Sequence, residues 1–184
     1  MYRPLWSAHL LAELRRTEEL KLRGRGVPDV EAQRRSRRLI EKMRRAFDDA
    51  EVTGYRPLIG SFGLPDPKDE HVLAAAVVGQ AGAIVTSNLK HFPSKSCAPG
   101  VEVLSPSEFA VLTAEIDPIG ARAALRALAA RSGSHGPQLG PGQIVEVLEA
   151  RYAMAGLASV IDEASARLDV PLAGGPGGLP REDE

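Results

Sequence analysis

Apolar positions recur at helical spacing near the start of the chain. Leu10, Leu11, Leu14 and Leu22 follow Ser7, a residue type that caps helices, and Gly24 and Gly26 interrupt the pattern. This predicts a helix from Ser7 to around Arg23. Pro28 opens a second predicted helix. Val30, Leu39, Ile40, Met43 and Phe47 are expected on one side of it, with Arg34, Arg35, Arg37, Arg38, Arg44 and Arg45 on the other. Residues 51–65 hold Gly54, Pro57, Gly60, Gly63 and Pro65 and read as a loop with at most a short strand. A run of small and apolar residues from Val72 to Val78 suits a helix packed on a sheet, with Gly82 as its expected end. Ala83-Ile84-Val85-Thr86 then reads as a short buried strand, and Val101-Glu102-Val103-Leu104 as another. Helix, buried strand, loop and strand in this order predict an α/β fold with a parallel sheet.

From Ser105 onward the pattern is helical. Ser105-Pro106-Ser107-Glu108 has the form of a capping box with Pro at the first helical position. Helices are expected over residues 106–113, 118–131, 142–154 and 156–168, with a Gly/Pro/Ser-rich connector from Ser132 to Gly142. The run Ala173-Gly174-Gly175-Pro176-Gly177-Gly178 and the acidic end have the composition of a disordered tail. The chain thus divides into residues 1–104, a helical stretch 105–170, and a tail 171–184.

Composition narrows this picture. With 43% hydrophobic and 26% charged residues, a folded core is expected. Aromatics are only 4%, so that core must be built from Ala, Leu and Val. Cys97 is the single cysteine; it cannot form an internal disulfide and reads as an inert thiol in a reducing compartment. The N-terminus has no secretory pattern, and no apolar run reaches the roughly 18 residues of a membrane span. A cytoplasmic protein is therefore expected. Net charge is −1, unevenly spread: residues 1–50 hold 13 Lys/Arg against 8 Asp/Glu, while residues 111–184 hold 6 against 10. A basic first third is compatible with nucleic-acid binding, and equally with solvated arginine-rich helix faces.

The candidate chemistry lies between Asp66 and His91. Asp66-Pro67-Lys68-Asp69 reads as a helix start, with Asp66 as N-cap, Pro67 at the first position and Asp69 favoured by the helix dipole. The same carboxylates at the head of a crevice would also hold Mg²⁺ or Mn²⁺, which prefer oxygen ligands. Asn88 follows the strand ending at Thr86, where open α/β sheets bind ligands, so Asn88 and Asp69 could share one crevice. A plain turn position would explain Asn88 as well.

Two blocks carry a resemblance. Leu64-Pro65-Asp66-Pro67-Lys68-Asp69-Glu70-His71-Val72-Leu73-Ala74-Ala75-Ala76 and Ile84-Val85-Thr86-Ser87-Asn88-Leu89-Lys90-His91-Phe92-Pro93 resemble PIN-domain proteins. The branch they resemble is that of VapC-like toxins with a C-terminal helical extension. Tyr2-Arg3-Pro4-Leu5-Trp6-Ser7 and Leu10-Leu11-Ala12-Glu13-Leu14-Arg15-Arg16 look like the same branch, and Ser105 to around Leu168 is similar to its extension. The resemblance implies a three-layer α/β sandwich around a short parallel sheet, plus the helical extension. It implies RNA phosphodiester hydrolysis with Mg²⁺ or Mn²⁺ held by clustered acids. Glu13 matches the family's second acid, Asp69 its third, Asp66 a further acid of this branch, and Asn88 the polar position after the strand. Glu13, Asp66 and Asp69 would then be metal ligands, and Glu13, Asp69 and Asn88 the catalytic set. A small antitoxin protein would be the partner, and relatives of this kind form homodimers.

Two departures stand out. The family's opening strand, which ends in its first acid, precedes the position of Tyr2, so the fold is expected with that strand missing; either the start codon is placed too late, the more economical explanation, or the product is truly shortened and has become inactive or partner-dependent. His91 stands where the family commonly has Asp. His91 could ligate Mn²⁺ weakly, with a plain surface position the favoured reading; His71 could contact substrate phosphate, with a helix-surface position again favoured; Trp6 is expected in the core. These departures keep open an alternative, a non-catalytic PIN-fold module that binds RNA or an antitoxin without cutting. An ordinary nucleotide-binding α/β protein fits less well, because the chain has no Gly-rich turn between a strand and a helix.

Overall fold

In a computed structural model of the chain, residues 2–93, 98–133 and 136–152 are described, together with 156, 159, 162, 163 and 166. Cys97, the expected tail at 171–184 and most of the expected helix at 156–168 lie outside the described residues. The chain divides into two units, Met1–Leu104 and Ser105–Glu184.

The first unit is α/β, as the order of patterns implied. Its elements are β1 (Trp6–Ser7), α1 (Ala8–Gly24), α2 (Asp29–Ala46), β2 (Glu51–Val52), α3 (Glu70–Val78), β3 (Ala83–Val85) and β4 (Glu102–Leu104). The strands pair in parallel, but as two separate ladders. Trp6 and Ser7 lie opposite Glu51 and Val52, while Ala83, Ile84 and Val85 lie opposite Glu102, Val103 and Leu104. The pair β1–β2 was not foreseen, because a two-residue strand shows no alternation to read.

Ser7 both ends β1 and caps α1, its hydroxyl accepting from the amide of Leu10 at 3.2 Å. No loop separates strand from helix. Trp6, Leu11, Ile40 and Ala50 form a buried cluster with Leu10, Leu14 and Met43 around it. Trp6 is therefore core, as expected. The buried face of α2 differs from the expected one. Ala32, Ser36 and Ile40 are buried at four-residue spacing, whereas Val30 is 80% exposed and Leu39 and Phe47 are exposed too. Small residues on that line let α1 and α2 approach closely. The Ser36 hydroxyl is satisfied there, with Glu19 Oε1 and the carbonyl of Gln33 both 3.0 Å away as acceptors for its one proton.

The helix α3 is buried over Glu70, His71 and Leu73–Ala76, which explains its small side chains. Leu73 and Ala76 pack with Leu64, Ile84 and Phe92, while Ala74 and Ala75 pack with Tyr55. It ends at Gly79, three residues before the expected Gly82. The amide of Ala81 bonds to the carbonyl of Ala76, that of Gln80 to Val77, and Gln80 takes φ 53°. This is a Schellman closure with Gln in the left-handed position that Gly usually fills. Sequence favours glycine as the stop, and here the adjacent Gly79 serves another need. A Cβ on it would sit 2.8 Å from Val52 Cγ2 and 3.1 Å from Leu5 Cδ1.

In the second unit, α4 (Pro106–Ile116), α5 (Pro118–Arg131) and α6 (Pro141–Tyr152) surround a core of Ala114, Leu125 and Val145. The predicted capping box is formed: the Ser105 hydroxyl accepts from the amide of Glu108, and the Glu108 carboxylate accepts from the amide of Ser105. Asp117 caps α5 through the amide of Gly120 at 2.8 Å.

Candidate metal centre

The start of α3 is built by carboxylates. Asp66 caps a short 3₁₀ turn, Pro67–Asp69, its Oδ1 accepting from the amide of Lys68 at 3.0 Å. Glu70, next in sequence, turns inward and is 3% exposed. Its carboxylate accepts from the amides of Leu64 at 2.9 Å, Gly60 at 3.1 Å and Phe62 at 3.2 Å. Burial would raise the pKa of Glu70, but these amides and that of Gly63 outweigh it and hold the group below the usual carboxylate range. The 60–64 loop is thus tied to the helix that carries Asp69.

Further along the sequence, the chain leaves β3 through Thr86, whose hydroxyl accepts from the amide of Asn88 at 3.1 Å. A 3₁₀ turn, Leu89–His91, then brings His91 back towards Asp69. The Nδ1 atom of His91 lies 2.6 Å from Asp69 Oδ2 and 2.6 Å from Asn88 Nδ2. One nitrogen cannot serve both neighbours in one tautomer. The Asp69 carboxylate can only accept, so the contact to it takes the Nδ1 proton; the contact to Asn88 needs the lone pair or a turned amide. Asp66, Asp69 and His91 each place a potential ligand atom within 4.8 Å of the others. His91 is therefore not the surface residue expected: its side chain is 26% exposed and joins Asp69 to Asn88.

Glu13 stands in a second group. On α1 it lies four residues after His9, and their side chains approach to 3.8 Å. His71, on the first turn of α3, brings its Nε2 to 3.4 Å from Glu13 Oε2, and its ring stacks on that of His9 with centroids 3.8 Å apart. His71 is 2% exposed, which overturns the expectation of a surface position. Burial pushes its pKa below the ordinary imidazole value; the Glu13 carboxylate opposes this, the His9 ring adds to it, and the charge of Asp69 opposes it weakly. Asp69 is thus near enough to act electrostatically on the second group. His9 was missed altogether, although a His and a Glu at four-residue spacing on a helix was a readable signal.

The structure therefore joins Asp69 to Asn88 through His91 and sets Asp66 beside them. Glu13 belongs to the adjoining histidine group. Residues 1–90 match the PIN domain family. This segment is similar to a PIN domain. A protein named "Putative ribonuclease VapC50", from Mycobacterium tuberculosis, is 47% identical over 57 residues, which cover 30% of this chain and 33% of that protein. The match thus spans about a third of the length of that relative. No solved structure matches. The matched segment covers β1 to β3 and most of the turn after it, and so every candidate side chain except His91, which lies one residue past it. Among the described residues, no helix is long and apolar enough to cross a membrane.

Proposed function

We propose that this chain is a metal-dependent ribonuclease of the toxin kind, acting in the cytoplasm and held in check by a small antitoxin protein. The observation that carries this reading is the meeting of Asp66, Asp69 and His91 at the carboxyl end of β3, beside Asn88. The donor set fits a hard divalent ion. Carboxylate oxygens from Asp66, Asp69 and Glu13 suit Mg²⁺ or Mn²⁺, and the imidazole of His91 favours Mn²⁺. When bound, such an ion lowers the pKa of a coordinated water and neutralises charge on the phosphate.

The protein's own groups do the rest. Asp66, Asp69 and Glu13 supply the negative field that draws the ion. Asn88 fixes the His91 ring and offers an amide to orient water. Glu70 holds the 60–64 loop against the start of α3, next to Asp69, so that the Asp69 carboxylate keeps one position. The basic face of α2 would track the RNA backbone. A homodimer is the assembly expected in this reading.

One observation favours a second reading, a PIN-fold module that binds RNA or the antitoxin without cutting. His91 lies against Asp69 at 2.6 Å and so engages an oxygen that the metal would need. The deciding experiment is cleavage of a mixed RNA pool with Mg²⁺ or Mn²⁺, beside Asp69→Asn. Cleavage by the parent chain that is lost in the variant supports the nuclease. Absence of cleavage by both, with RNA still bound, supports the binding module.

A further inference from the structure

We propose that Arg16, Lys68 and Lys90 form a phosphate-binding rim around the acidic centre, one that holds single-stranded RNA by the phosphates on either side of the one presented for cleavage. The inference rests on the nuclease reading only in placing RNA over Asp66, Asp69 and His91. It adds how the strand is gripped and which form of nucleic acid fits.

The starting point is electrostatic. A centre that gathers carboxylates repels a polyanion unless nearby cations offset it. Here each segment that brings a centre residue also carries one cation close to it. Two of these segments are 3₁₀ turns built alike: Pro67–Asp69 and Leu89–His91 both have lysine second and the centre residue third. With three residues per turn, neighbouring side chains leave such a turn about 120° apart. Asp69 and His91 face each other across 2.6 Å, so Lys68 and Lys90 are directed away from that contact, and both are exposed. The third cation is on α1. Arg16 follows Glu13 by three residues, so the two share a helix face, and Arg16 is exposed as well.

Ion pairing sets these three apart from their neighbours. On α1, Arg15 pairs with Glu19 and Lys21 with Glu18. Among the described residues, no ion pair engages Arg16, Lys68 or Lys90, although each lies within three residues of a centre side chain. The acids are thus left for the centre and the cations for an anionic ligand at its edge. Depth then selects the ligand. The side chains of His91 and Asp69 are only 26% and 28% exposed, so the centre lies below the exposed lysines. A single strand can bend one phosphate down to it while the flanking phosphates stay at the rim. In a duplex, base pairing holds the backbone on the helix surface and denies it that bend.

The test is RNA binding by the full chain without divalent metal, so that no cleavage intervenes. A short fluorescent oligouridylate is titrated at several salt concentrations. The slope of log affinity against log salt should fall by about 0.7 for each of Arg16→Ala, Lys68→Ala and Lys90→Ala, and by about 2 for the triple variant. Lys21→Ala removes the same charge from the far end of α1 and should leave the slope unchanged. Duplex RNA of the same length should bind more weakly than the single strand. The proposal is overturned if the parent chain does not bind the single strand, if the triple variant keeps the parent slope, if Lys21→Ala lowers it as much as Lys68→Ala, or if the duplex binds equally well. Because neither metal nor cleavage enters the measurement, failure of the nuclease reading leaves this readout standing. An active nuclease with an unchanged slope would sink the rim alone.

Discussion

Glu70 shows how much one side chain can hold. It is buried, ionised and satisfied by amide contacts from the loop before it, those of Gly60, Phe62 and Leu64 among them. Replacing it with Ala would strand those amides, with an expected loss of about 2–4 kcal/mol in urea unfolding. The pH dependence has a definite sign. The folded pKa of Glu70 is lowered from 4.5, so its contribution is present above that value and fades as pH falls through the lower folded value. Acid unfolding of the parent chain should therefore be steeper than that of Glu70→Ala, as followed by circular dichroism. At this scale the sequence was legible where local rules decide. Asp66 as a cap follows from turn chemistry, whereas Asn88 reaches Asp69 only through His91, a link no local rule announces. His71 and His91 were misread because their surroundings come from residues distant in sequence: α1 for the first, the start of α3 for the second.

Among the elements, boundaries set by side-chain caps were readable and those set by tertiary contact were not. Ser7 and Ser105 each follow a capping rule, and each begins a helix where expected. The end of α3 is instead decided by a neighbour, since Gly79 passes within contact of Val52 and Leu5. Gly79→Ala would push a methyl group against Val52, with an expected cost of about 1–3 kcal/mol by thermal or urea unfolding. The inward line of α2 was misassigned for a related reason. Ala32 and Ser36 are not hydrophobic enough to mark a face, yet their small size is what α1 requires.

For the whole molecule, charge is the property most directly read from sequence, and the structure sorts it. Glu31 engages Arg34 and Arg35, and Glu51 engages Arg44. Among the described residues, no ion pair engages Arg37, Arg38 or Arg45. If α2 tracks RNA, these three carry the binding. Replacing Arg37 and Arg38 with Ala should reduce the slope of log affinity against log salt by about 1 per arginine. Filter binding of a single-stranded RNA at several salt concentrations would measure it, and an unchanged slope would place the RNA elsewhere.

The direct join between β1 and α1 has a consequence for sequence change. With Ser7 serving as both strand end and helix cap, the junction has no slack in which to absorb an insertion. One extra residue between Ser7 and Ala8 would rotate everything on α1 by about 100°. It would also carry His9 and Glu13 away from α3 together. Length variation at this point is therefore a different event from length variation at Gly24 to Gly26, where the chain already turns freely: the first re-indexes a whole helix against its neighbours, the second only lengthens a bend.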